Sequence, residues 1–446
     1  MTLANVFIQD TIVAIATYLA PSSVAIIRLS GNEAIRLAKS ICVKKNHWHS
    51  HRIIHTYVQD DQNQLIDEVL VLPMLAPRSY TRQDVVEIHA HGGVVVAQTI
   101  LQLLINRGAR LAKPGEFTLR AFINGRLTLT QAESVLELIH APSVAMAKKA
   151  LSNLRGALST QLHQVRSELI QLLAQIEAHL DFDLDNTFVF NSFINSLTNI
   201  INQIQNLLNT PSKFYRYGIQ VALLGPANAG KSTLFNALIG EERSIVTPIA
   251  GTTTDVVEAT LQWQQICFRF FDTAGLKEAS SEIETKAMAK AQQIAKQCDL
   301  ILWIIDATSP NLPIPPYLLN SKPLLVVYNK IDVDSSDVLD HVLDHTSYPT
   351  VKVSALYATN LSQLKQLIWQ QATQLFQLDG IYINERQSQL LQQAKQHLCN
   401  LQSALDEGYP LEIISWHLKN AIQCLDENDV NASTLNAIFS QFCIGK

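Results

Sequence analysis

The spacing of apolar residues changes along the chain and divides its 446 residues into stretches of different character. Between Val6 and Ala112, short apolar runs at 24–29, 69–72 and 85–88 are separated by turn signals that contain Gly or Pro. Short runs bounded in this way are typical of strands. This part of the chain is therefore predicted to form a compact mixed α/β domain.

A helical pattern replaces the short runs beyond Phe117. Apolar residues recur three and four positions apart, which places them on one face of a helix. The spacing predicts one long amphipathic helix whose apolar face needs a partner helix. Strand-like runs follow this stretch, and a continuous helical pattern returns after Asp379, so we expect the partner in that later stretch. The members of the apolar face are Leu151, Leu154, Leu158, Leu162, Val165, Leu169, Leu172, Ile176 and Leu180.

Between the two helical stretches, apolar runs at 219–224, 268–271, 300–305 and 324–328 alternate with helical spacing. Alternating strands and helices predict a mostly parallel sheet with helices on both faces. The simplest architecture is a multidomain α/β plus all-α protein, in which this α/β domain is inserted into a helical domain built from both flanks. The predicted boundaries are 1–117 for the N-terminal domain, 118–212 and 377–446 for the helical domain, and 213–376 for the inserted domain.

Composition and charge narrow the function classes. Apolar residues make up 47% of the chain, and 34 Lys and Arg against 39 Asp and Glu give a formal net charge of -5. A packed core is expected, and binding of nucleic acid through a broad basic face is disfavoured. No apolar stretch approaches the roughly 18 residues of a membrane span, and the N-terminus lacks a signal-peptide pattern. We therefore expect a cytoplasmic protein without a membrane partner.

A phosphate-binding motif follows the first strand of the inserted domain. Residues 225–232 read Gly-Pro-Ala-Asn-Ala-Gly-Lys-Ser and fit the P-loop pattern G-x-x-x-x-G-K-[ST]. In such a loop, backbone N–H groups and the N-terminus of the following helix face phosphate oxygens. Lys231 is expected to contact the β and γ phosphates. Ser232, where the helix is expected to begin, is the expected Mg²⁺ ligand.

Two further segments are expected near the γ-phosphate. Asp272-Thr273-Ala274-Gly275 follows the strand at 268–271, which places the Asp272 carboxylate near Mg²⁺. Gly251-Thr252-Thr253 lies in a polar loop, and one of its threonines is expected to complete the Mg²⁺ shell while the γ-phosphate is present. Spacing alone does not decide between the two threonines.

We expect the base to be selected by Asn329-Lys330-Ile331-Asp332, which follows the strand at 324–328. Asp332 can accept hydrogen bonds from the guanine N1–H and exocyclic amine, which adenine does not offer in that arrangement. A site built around such donors rejects an analogue without them by roughly 10⁴. GTP is therefore the expected nucleotide. Ser354-Ala355-Leu356 is expected to close over the guanine carbonyl with a backbone N–H.

The nucleotide motifs leave the group that activates water open. In Ras-like proteins a glutamine after D-T-A-G orients the attacking water, but Leu276 holds that position here. The nearby acidic candidates are Glu278, Glu282 and Glu284. For any one of them, a solvated charge on a switch helix is the more ordinary interpretation, and no arginine finger can be chosen.

Distinctive motifs also lie outside the nucleotide site. They include Asp10-Thr11-Ile12-Val13-Ala14, Ser79-Tyr80-Thr81, Asp84-Val85-Val86-Glu87, His91-Gly92-Gly93, Pro114-Gly115-Glu116-Phe117-Thr118, Arg120-Ala121-Phe122, Leu129-Thr130-Gln131-Ala132-Glu133 and Phe442-Cys443-Ile444-Gly445-Lys446. With these motifs, the whole chain resembles the bacterial tRNA-modification GTPases of the MnmE (TrmE) family. Other GTPases share only the nucleotide motifs, so the resemblance is specific.

The resemblance implies a Ras-like G domain that pairs across a dimer in a K⁺-dependent way. It assigns Mg²⁺ to Ser232 and Thr253, and the orientation of the hydrolytic water to Glu284, with Lys231 as the other catalytic residue. Its K⁺ ligands would be Asn228, Thr247, the Ile249 carbonyl and Thr252. The expected GTP-binding residues are Asn228, Ala229, Gly230, Lys231, Ser232, Thr233, Thr247, Pro248, Ile249, Ala250, Gly251, Thr252, Thr253, Asp272, Thr273, Ala274, Gly275, Asn329, Lys330, Asp332, Ser354, Ala355 and Leu356.

The resemblance also implies a folate-binding and dimerisation role for the N-terminal domain. The matching folate contacts are Arg28, Glu87, Arg126 and Lys446, and the cofactor would be 5-formyl-tetrahydrofolate or methylene-tetrahydrofolate. A carboxylate can accept a bidentate pair from a pterin, and arginine suits carboxylate groups.

The family works as a homodimer that joins an FAD-dependent protein, MnmG, in a heterotetramer. Together they attach a (carboxymethyl)aminomethyl group to carbon 5 of the wobble uridine of certain tRNAs. The alternative is a ribosome-assembly GTPase of the Era or Der type, acting as a regulatory switch. The folate-type N-terminal domain is the feature that separates the two.

Overall fold

The computed structural model describes residues 10–44, 46–182, 190–209, 214, 218–240, 257–263, 266–272, 292–310, 313–318, 322–333, 348–375, 380–427 and 430–446. These residues form two compact units, one within 1–139, 151–201 and 393–446, the other within 140–150 and 202–392. In the described ranges, no helix has both the length and the apolar character that crossing a membrane requires. The boundaries near 117, 212 and 376 remain predictions.

The N-terminal part of the first unit is built on a six-stranded sheet of order β3-β4-β5-β2-β1-β6. Among its described strands, only β1 and β6 pair in parallel. Helices α1 (Ala34–Ile41) and α2 (Val94–Asn106) pack on one face of the sheet, over a core that includes Ile27, Leu29 and Leu104. The predicted mixed α/β domain is confirmed. Its strands are β1 (Ile12–Ile15), β2 (Val24–Ser30), β3 (Ile54–Gln59), β4 (Leu65–Met74), β5 (Val85–His91) and β6 (Arg110–Leu111).

Strand alternation places charged side chains on the other face of this sheet. In β2, Ile27 and Leu29 are buried in the core, so Arg28 between them faces the opposite side. Glu87 takes the same position in β5, beside buried Ile88. The register of the two antiparallel strands sets Arg28 directly opposite Glu87. Opposed charges at such positions stabilise a strand pair.

Helices follow the sheet, and one sequence prediction fails here. The long apolar face lies on two helices rather than one. The first helix ends at Leu154, and the next begins after Gly156, whose φ is 101°. The three- and four-residue spacing continues across this break, but a positive φ that favours glycine cannot extend an α-helix. The helices are α3 (Glu116–Ile123), α4 (Leu129–Ile139), α5 (Val144–Leu154), α6 (Ala157–Phe182) and α7 (Phe190–Leu208).

The second unit contains a sheet of order β12-β11-β10-β7-β9-β8, in which all neighbours are parallel except β8 and β9. The predicted mostly parallel sheet is confirmed. Its central strands are almost fully buried, as expected when helices cover both faces. Residues 292–297 are helical as well. The elements are β7 (Ile219–Leu224), α8 (Lys231–Gly240), β8 (Val257–Trp263), β9 (Ile266–Asp272), β10 (Leu300–Asp306), a 3₁₀ turn (Pro316–Leu318), β11 (Leu324–Asn329), β12 (Thr350–Lys352) and α9 (Leu361–Leu375).

The chain ends in α10 (Glu385–Asp406), α11 (Leu411–Cys424) and α12 (Ala432–Phe439). Helix α11 packs along α6. The Arg166–Asp426 pair, with 2.8 Å between N and O, and the Lys419–Glu177 pair, at 2.9 Å, lie beside this contact. The expectation that the long apolar face finds its partner in the C-terminal stretch is confirmed.

Candidate nucleotide and cofactor sites

The loop between β7 and α8 depends on glycines at both ends. Gly225 and Gly230 have φ values of 156° and 84°, in the region that favours glycine. A side chain on Gly225 would collide with the Ile304 carbonyl oxygen, and one on Gly230 would collide with the Asn329 amide. Asn228, inside the loop, also has a positive φ of 63°. The loop therefore lies close against the ends of β10 and β11.

The first turn of α8 carries the polar groups of the loop. The helix begins at Lys231, one residue earlier than predicted. Lys231 Nζ donates to the carbonyl oxygens of Gly225, at 3.0 Å, and Pro226, at 2.7 Å. The ammonium group therefore lies over the loop whose N–H groups are expected to bind phosphate. Thr233 follows in the same turn and is exposed.

Ser232 and Asp272 supply paired oxygens beside the loop. Ser232 Oγ donates to Asp272 Oδ2 at 2.8 Å. Asp272 ends β9 and is only 3% exposed, so its carboxylate is held at the carboxyl edge of the sheet. A hydroxyl and a carboxylate at this spacing fit Mg²⁺, which prefers oxygen ligands and retains several waters. The assignment of Mg²⁺ to Ser232 remains a prediction, and these two side chains offer the oxygen donors that it needs.

The base-reading segment is held against the loop by Asn329, which is 1% exposed. Asn329 Nδ2 donates to the Ala229 carbonyl oxygen, and Asn329 Oδ1 accepts from the Ala355 N–H, both at 3.0 Å. Asp332 Oδ1 accepts a hydrogen bond of 2.5 Å from Ser354 Oγ. The structure thus joins three motifs that are far apart in sequence. The Ala355 N–H bonds Asn329 here, and Leu356 next to it is exposed.

Several predicted site residues lie outside the described part of the chain. Among them are both switch segments, the Glu284 position and the other acidic candidates. Their roles remain predictions. These residues are Thr247, Pro248, Ile249, Ala250, Gly251, Thr252, Thr253, Thr273, Ala274, Gly275, Leu276, Glu278, Glu282 and Glu284.

A second polar cluster lies on the outer face of the N-terminal sheet. Arg28 Nε donates to Glu87 Oε1 at 2.8 Å, and Arg28 Nη2 lies 2.7 Å from the same oxygen. Arg28 Nη1 donates to the Gly445 carbonyl oxygen at 3.0 Å, although the two residues are 417 positions apart. The Phe117 N–H donates to the Lys446 carbonyl oxygen at 3.2 Å. The C-terminal segment is therefore anchored to the strand pair that carries Arg28 and Glu87.

Arg126, another predicted folate contact, is linked to this cluster through the Tyr80 ring. The Tyr80 ring centroid lies 6.0 Å from the Arg28 guanidinium carbon and 4.8 Å from that of Arg126. Arg126 Nη1 also donates to the Tyr80 carbonyl oxygen at 2.8 Å. The Phe117 ring lies 5.8 Å from the Arg28 guanidinium carbon. Tyr80 thus stands between the two arginines.

Lys446 shares this environment. Burial lowers the pKa of its ammonium group, the nearby Arg28 charge lowers it further, and Glu87 opposes the change by raising it. The cluster therefore contains three basic side chains and one carboxylate: Arg28, Arg126, Lys446 and Glu87. An anion bound here would relieve the repulsion between the basic groups.

Comparison with known proteins assigns the chain to a family. A model of the "GTP-binding protein TrmE N-terminus" matches residues 11–126, and a model of the "MnmE helical domain" matches residues 129–443. The tRNA modification GTPase MnmE of a Nostoc species is 40% identical over 98% of this chain and 100% of its own length. This chain belongs to the MnmE family. The MnmE of Thermosynechococcus vestitus is 41% identical over 98% of this chain and 99% of its own length.

Membership of the MnmE family settles the coarse function. The chain is a GTP-binding P-loop GTPase of tRNA modification. A solved structure of Aquifex aeolicus Era bound to GDP and aluminium fluoride is 29% identical over 40% of this chain and 66% of its own, with a TM-score of 0.29. That score is too low to carry an argument. The match over the full MnmE length sets the Era or Der alternative aside.

The structure of this MnmE-family chain adds to the two sites three residues that are not among those predicted from its sequence: Tyr80, Phe117 and Asp306. Tyr80 and Phe117 belong to sequence motifs, and an aromatic ring beside arginine is a frequent cation–π partner. Asp306 contacts Lys330 at the nucleotide site. A signal for Asp306 was available, because a carboxylate directly after a buried apolar run occupies the same strand-end position as Asp272 and Asn329.

Proposed function

We propose that this GTPase works with an FAD-dependent MnmG-type protein to install (carboxymethyl)aminomethyl groups on carbon 5 of the wobble uridine of certain tRNAs. A folate, 5-formyl- or methylene-tetrahydrofolate, carries the one-carbon unit in the N-terminal domain. The chain acts as a homodimer within a heterotetramer. The observation that carries the proposal is the cluster of Arg28, Glu87, Arg126 and Lys446, because a GTPase switch has no need of it.

The cluster has the chemistry that a reduced folate requires. Glu87 presents a carboxylate to which a pterin ring can donate two hydrogen bonds, and Arg28 fixes the orientation of that carboxylate. The Tyr80 and Phe117 rings offer flat apolar surface beside the charged groups. The excess of basic side chains suits the carboxylates at the other end of a folate. When bound, the folate would supply the carbon that the chain itself lacks.

Direct binding tests the folate assignment. We expect Arg28→Ala to weaken the binding of 5-formyl-tetrahydrofolate to the full-length protein by at least about tenfold, since it removes a charge-assisted partner of Glu87. Arg36→Ala is the matched control, because Arg36 pairs with Glu33 on the surface of the same domain, with its side chain 66% exposed. Calorimetric titration gives both affinities. Equal affinities of the two variants for the folate would refute the assignment of this cluster as a folate site.

We further propose that GTP hydrolysis depends on K⁺ and Mg²⁺ and on Glu284. Bound cations would stabilise the negative charge that develops on the phosphate oxygens, as an arginine finger does elsewhere. Asn228, Thr247, the Ile249 carbonyl and Thr252 are the proposed K⁺ ligands, and Ser232 and Thr253 the proposed Mg²⁺ ligands. Glu284 orients the attacking water. Asn228 belongs to the 225–232 phosphate loop, where its φ is 63°, and its side-chain amide oxygen is a group that can coordinate K⁺.

Replacing K⁺ by Na⁺ tests the cation proposal. We expect GTP turnover to fall at least about tenfold in Na⁺, because loss of one stabilising group at developing charge costs about 10²–10³ in other enzymes. Asn228→Ala in K⁺ should approach the Na⁺ rate of the wild type. Phosphate release measured in equimolar chloride salts tests the cation proposal, and identical rates would refute the K⁺ assignment.

The role of Glu284 is tested in the same assay. Glu284→Ala should slow GTP turnover while leaving GTP affinity nearly unchanged.

A further inference from the structure

A salt bridge joins the ends of two neighbouring strands at the base-reading edge of the nucleotide site. Strands β10 and β11 are parallel neighbours, and their last residues, Asp306 and Asn329, lie side by side in the register. Lys330 follows Asn329 directly, and Lys330 Nζ lies 2.7 Å from Asp306 Oδ2. The Lys330 side chain is 34% exposed and that of Asp306 is 24% exposed. The pair is thus partly shielded from water.

Each oxygen of the Asp306 carboxylate has its own partner. Oδ1 accepts from the Thr308 N–H at 3.0 Å and from Thr308 Oγ1 at 2.8 Å, while Oδ2 accepts from Lys330. Thr308 and Lys330 therefore occupy different oxygens of the carboxylate, and only Lys330 contacts Oδ2 among these partners. Burial raises the pKa of Asp306, but the hydrogen bonds from Lys330 and Thr308 and the Lys330 charge together lower it below its ordinary value. The carboxylate is ionised at neutral pH.

The backbone around Lys330 is also fixed. Lys330 has a φ of 69°, a conformation that residues other than glycine rarely adopt. The Ala307 N–H donates to the Asn329 carbonyl oxygen at 2.8 Å, and the Val333 N–H donates to the Lys330 carbonyl oxygen at 3.1 Å. These backbone hydrogen bonds do not fix the conformation of the four-carbon side chain. The ion pair with Asp306 determines where that side chain lies.

The Lys330 side chain runs beside the phosphate loop. A Cβ atom built on Gly230 would lie 3.8 Å from Lys330 Cε. On either side of Lys330 in the chain are Asn329, bonded to Ala229, and Asp332, bonded to Ser354. The aliphatic part of Lys330 therefore lies among the groups assigned to the guanine nucleotide. Its apolar length can pack on a flat base while its charged end stays neutralised.

We propose that Asp306 is a positioning residue for guanine-nucleotide binding, acting through Lys330. By holding the ammonium group, Asp306 keeps the Lys330 side chain extended along the nucleotide site before the ligand arrives. A flexible lysine loses considerable rotamer freedom on ordering, and a partner that orders it in advance reduces this cost at binding. The inference rests on the proposed assignment of Asn329 and Asp332 to the base.

A double-mutant cycle on the full-length protein tests the proposal. We expect Asp306→Asn to speed the release of a fluorescent GDP analogue about 5- to 30-fold, the factor that ordering one long side chain accounts for. Because Asp306 acts through Lys330, Asp306→Asn should add less than about twofold in a Lys330→Met background. Steady-state hydrolysis should show a raised KM for GTP with kcat nearly unchanged.

Controls separate this positioning role from a structural one. Thr308→Val removes one hydroxyl from Asp306 but leaves Lys330 paired, so its release rate should stay within about twofold of the wild type. Asp332→Asn should lose its preference for guanosine over xanthosine nucleotides. If it did not, the base assignment would fail independently of Asp306. If Asp306→Asn does not fold, Asp306→Glu, which displaces the carboxylate by one methylene, takes its place in the cycle. An unchanged release rate, or an equal acceleration with and without Lys330, would overturn the proposal.

Discussion

Single buried side chains join segments that are far apart in this sequence. Asn329 bonds Ala229, 100 positions earlier, and accepts from the Ala355 N–H. Arg120, only 1% exposed, donates to the Asp10 carbonyl oxygen at 2.8 Å and to Gln83 Oε1 at 3.1 Å. A buried amide or guanidinium with several partners is costly to disturb, because its removal leaves the other groups unpaired. Asn329 in this way holds the phosphate loop and the Ala355 segment together.

Glu116 is the buried carboxylate of the Arg120 network and is 2% exposed. Burial raises the pKa of Glu116, but the hydrogen bond from Arg110, the Lys113 N–H and the charges of Arg110 and Arg120 together lower it below the ordinary 4.5. A depressed pKa in the folded state stabilises the fold above the unfolded-state pKa. That stabilisation disappears as the pH falls through the folded-state value.

We therefore predict that Glu116→Gln destabilises the N-terminal domain by about 3 kcal/mol at pH 7, because it removes the carboxylate charge that compensates the buried Arg120 guanidinium. The difference from the wild type should shrink as the pH falls below about 4. Urea unfolding followed by circular dichroism at both pH values measures the change. Glu33→Gln is the control, since Glu33 is 51% exposed and pairs with Arg36 on the surface. Equal losses for the two variants, or the same Glu116→Gln loss at both pH values, would contradict the prediction.

At the scale of elements, apolar periodicity predicted where strands lie but not where the long helix breaks. The apolar run at 219–224 coincides with β7. Strands β10 and β11 each extend one residue beyond the runs that predict them, which end at 305 and 328. Central strands of a parallel sheet are buried on both faces, so their apolar runs are unambiguous. The interruption of the helix at Gly156 is not visible in the sequence pattern, because the three- and four-residue apolar spacing continues through it.

Most contacts between side chains of different elements could not be predicted from the sequence. The motifs located Lys330 and its neighbours, but the Asp306–Lys330 pair requires knowing that β10 lies beside β11. In the same way, Arg28, Glu87, Arg126 and Lys446 were chosen by family resemblance alone. Only the register of β2 and β5 and the path of the C-terminal segment explain how the Gly445 carbonyl reaches Arg28. Tertiary neighbours of this kind leave no periodic signal.

At the scale of the molecule, two chemistries belong to one chain. One unit carries the phosphate loop and the 329–332 segment that is proposed to read guanine, and the other carries a basic, aromatic-lined cluster. Regulatory GTPases need only the first. The presence of both supports an account in which GTP hydrolysis drives a modification that consumes a folate-borne carbon. Family membership gives the GTPase and tRNA modification, and the cluster gives the reason to propose folate.

The modification itself is the central claim, and nucleoside analysis tests it most directly. Wobble-uridine nucleosides from tRNA are quantified by mass spectrometry in cells lacking this protein and in the same cells supplied with the wild type or with Lys231→Ala. We predict that carbon 5 of the wobble uridine lacks its (carboxymethyl)aminomethyl group without the protein, regains it with the wild type and fails to regain it with Lys231→Ala. Full modification in the cells that lack the protein would contradict the account.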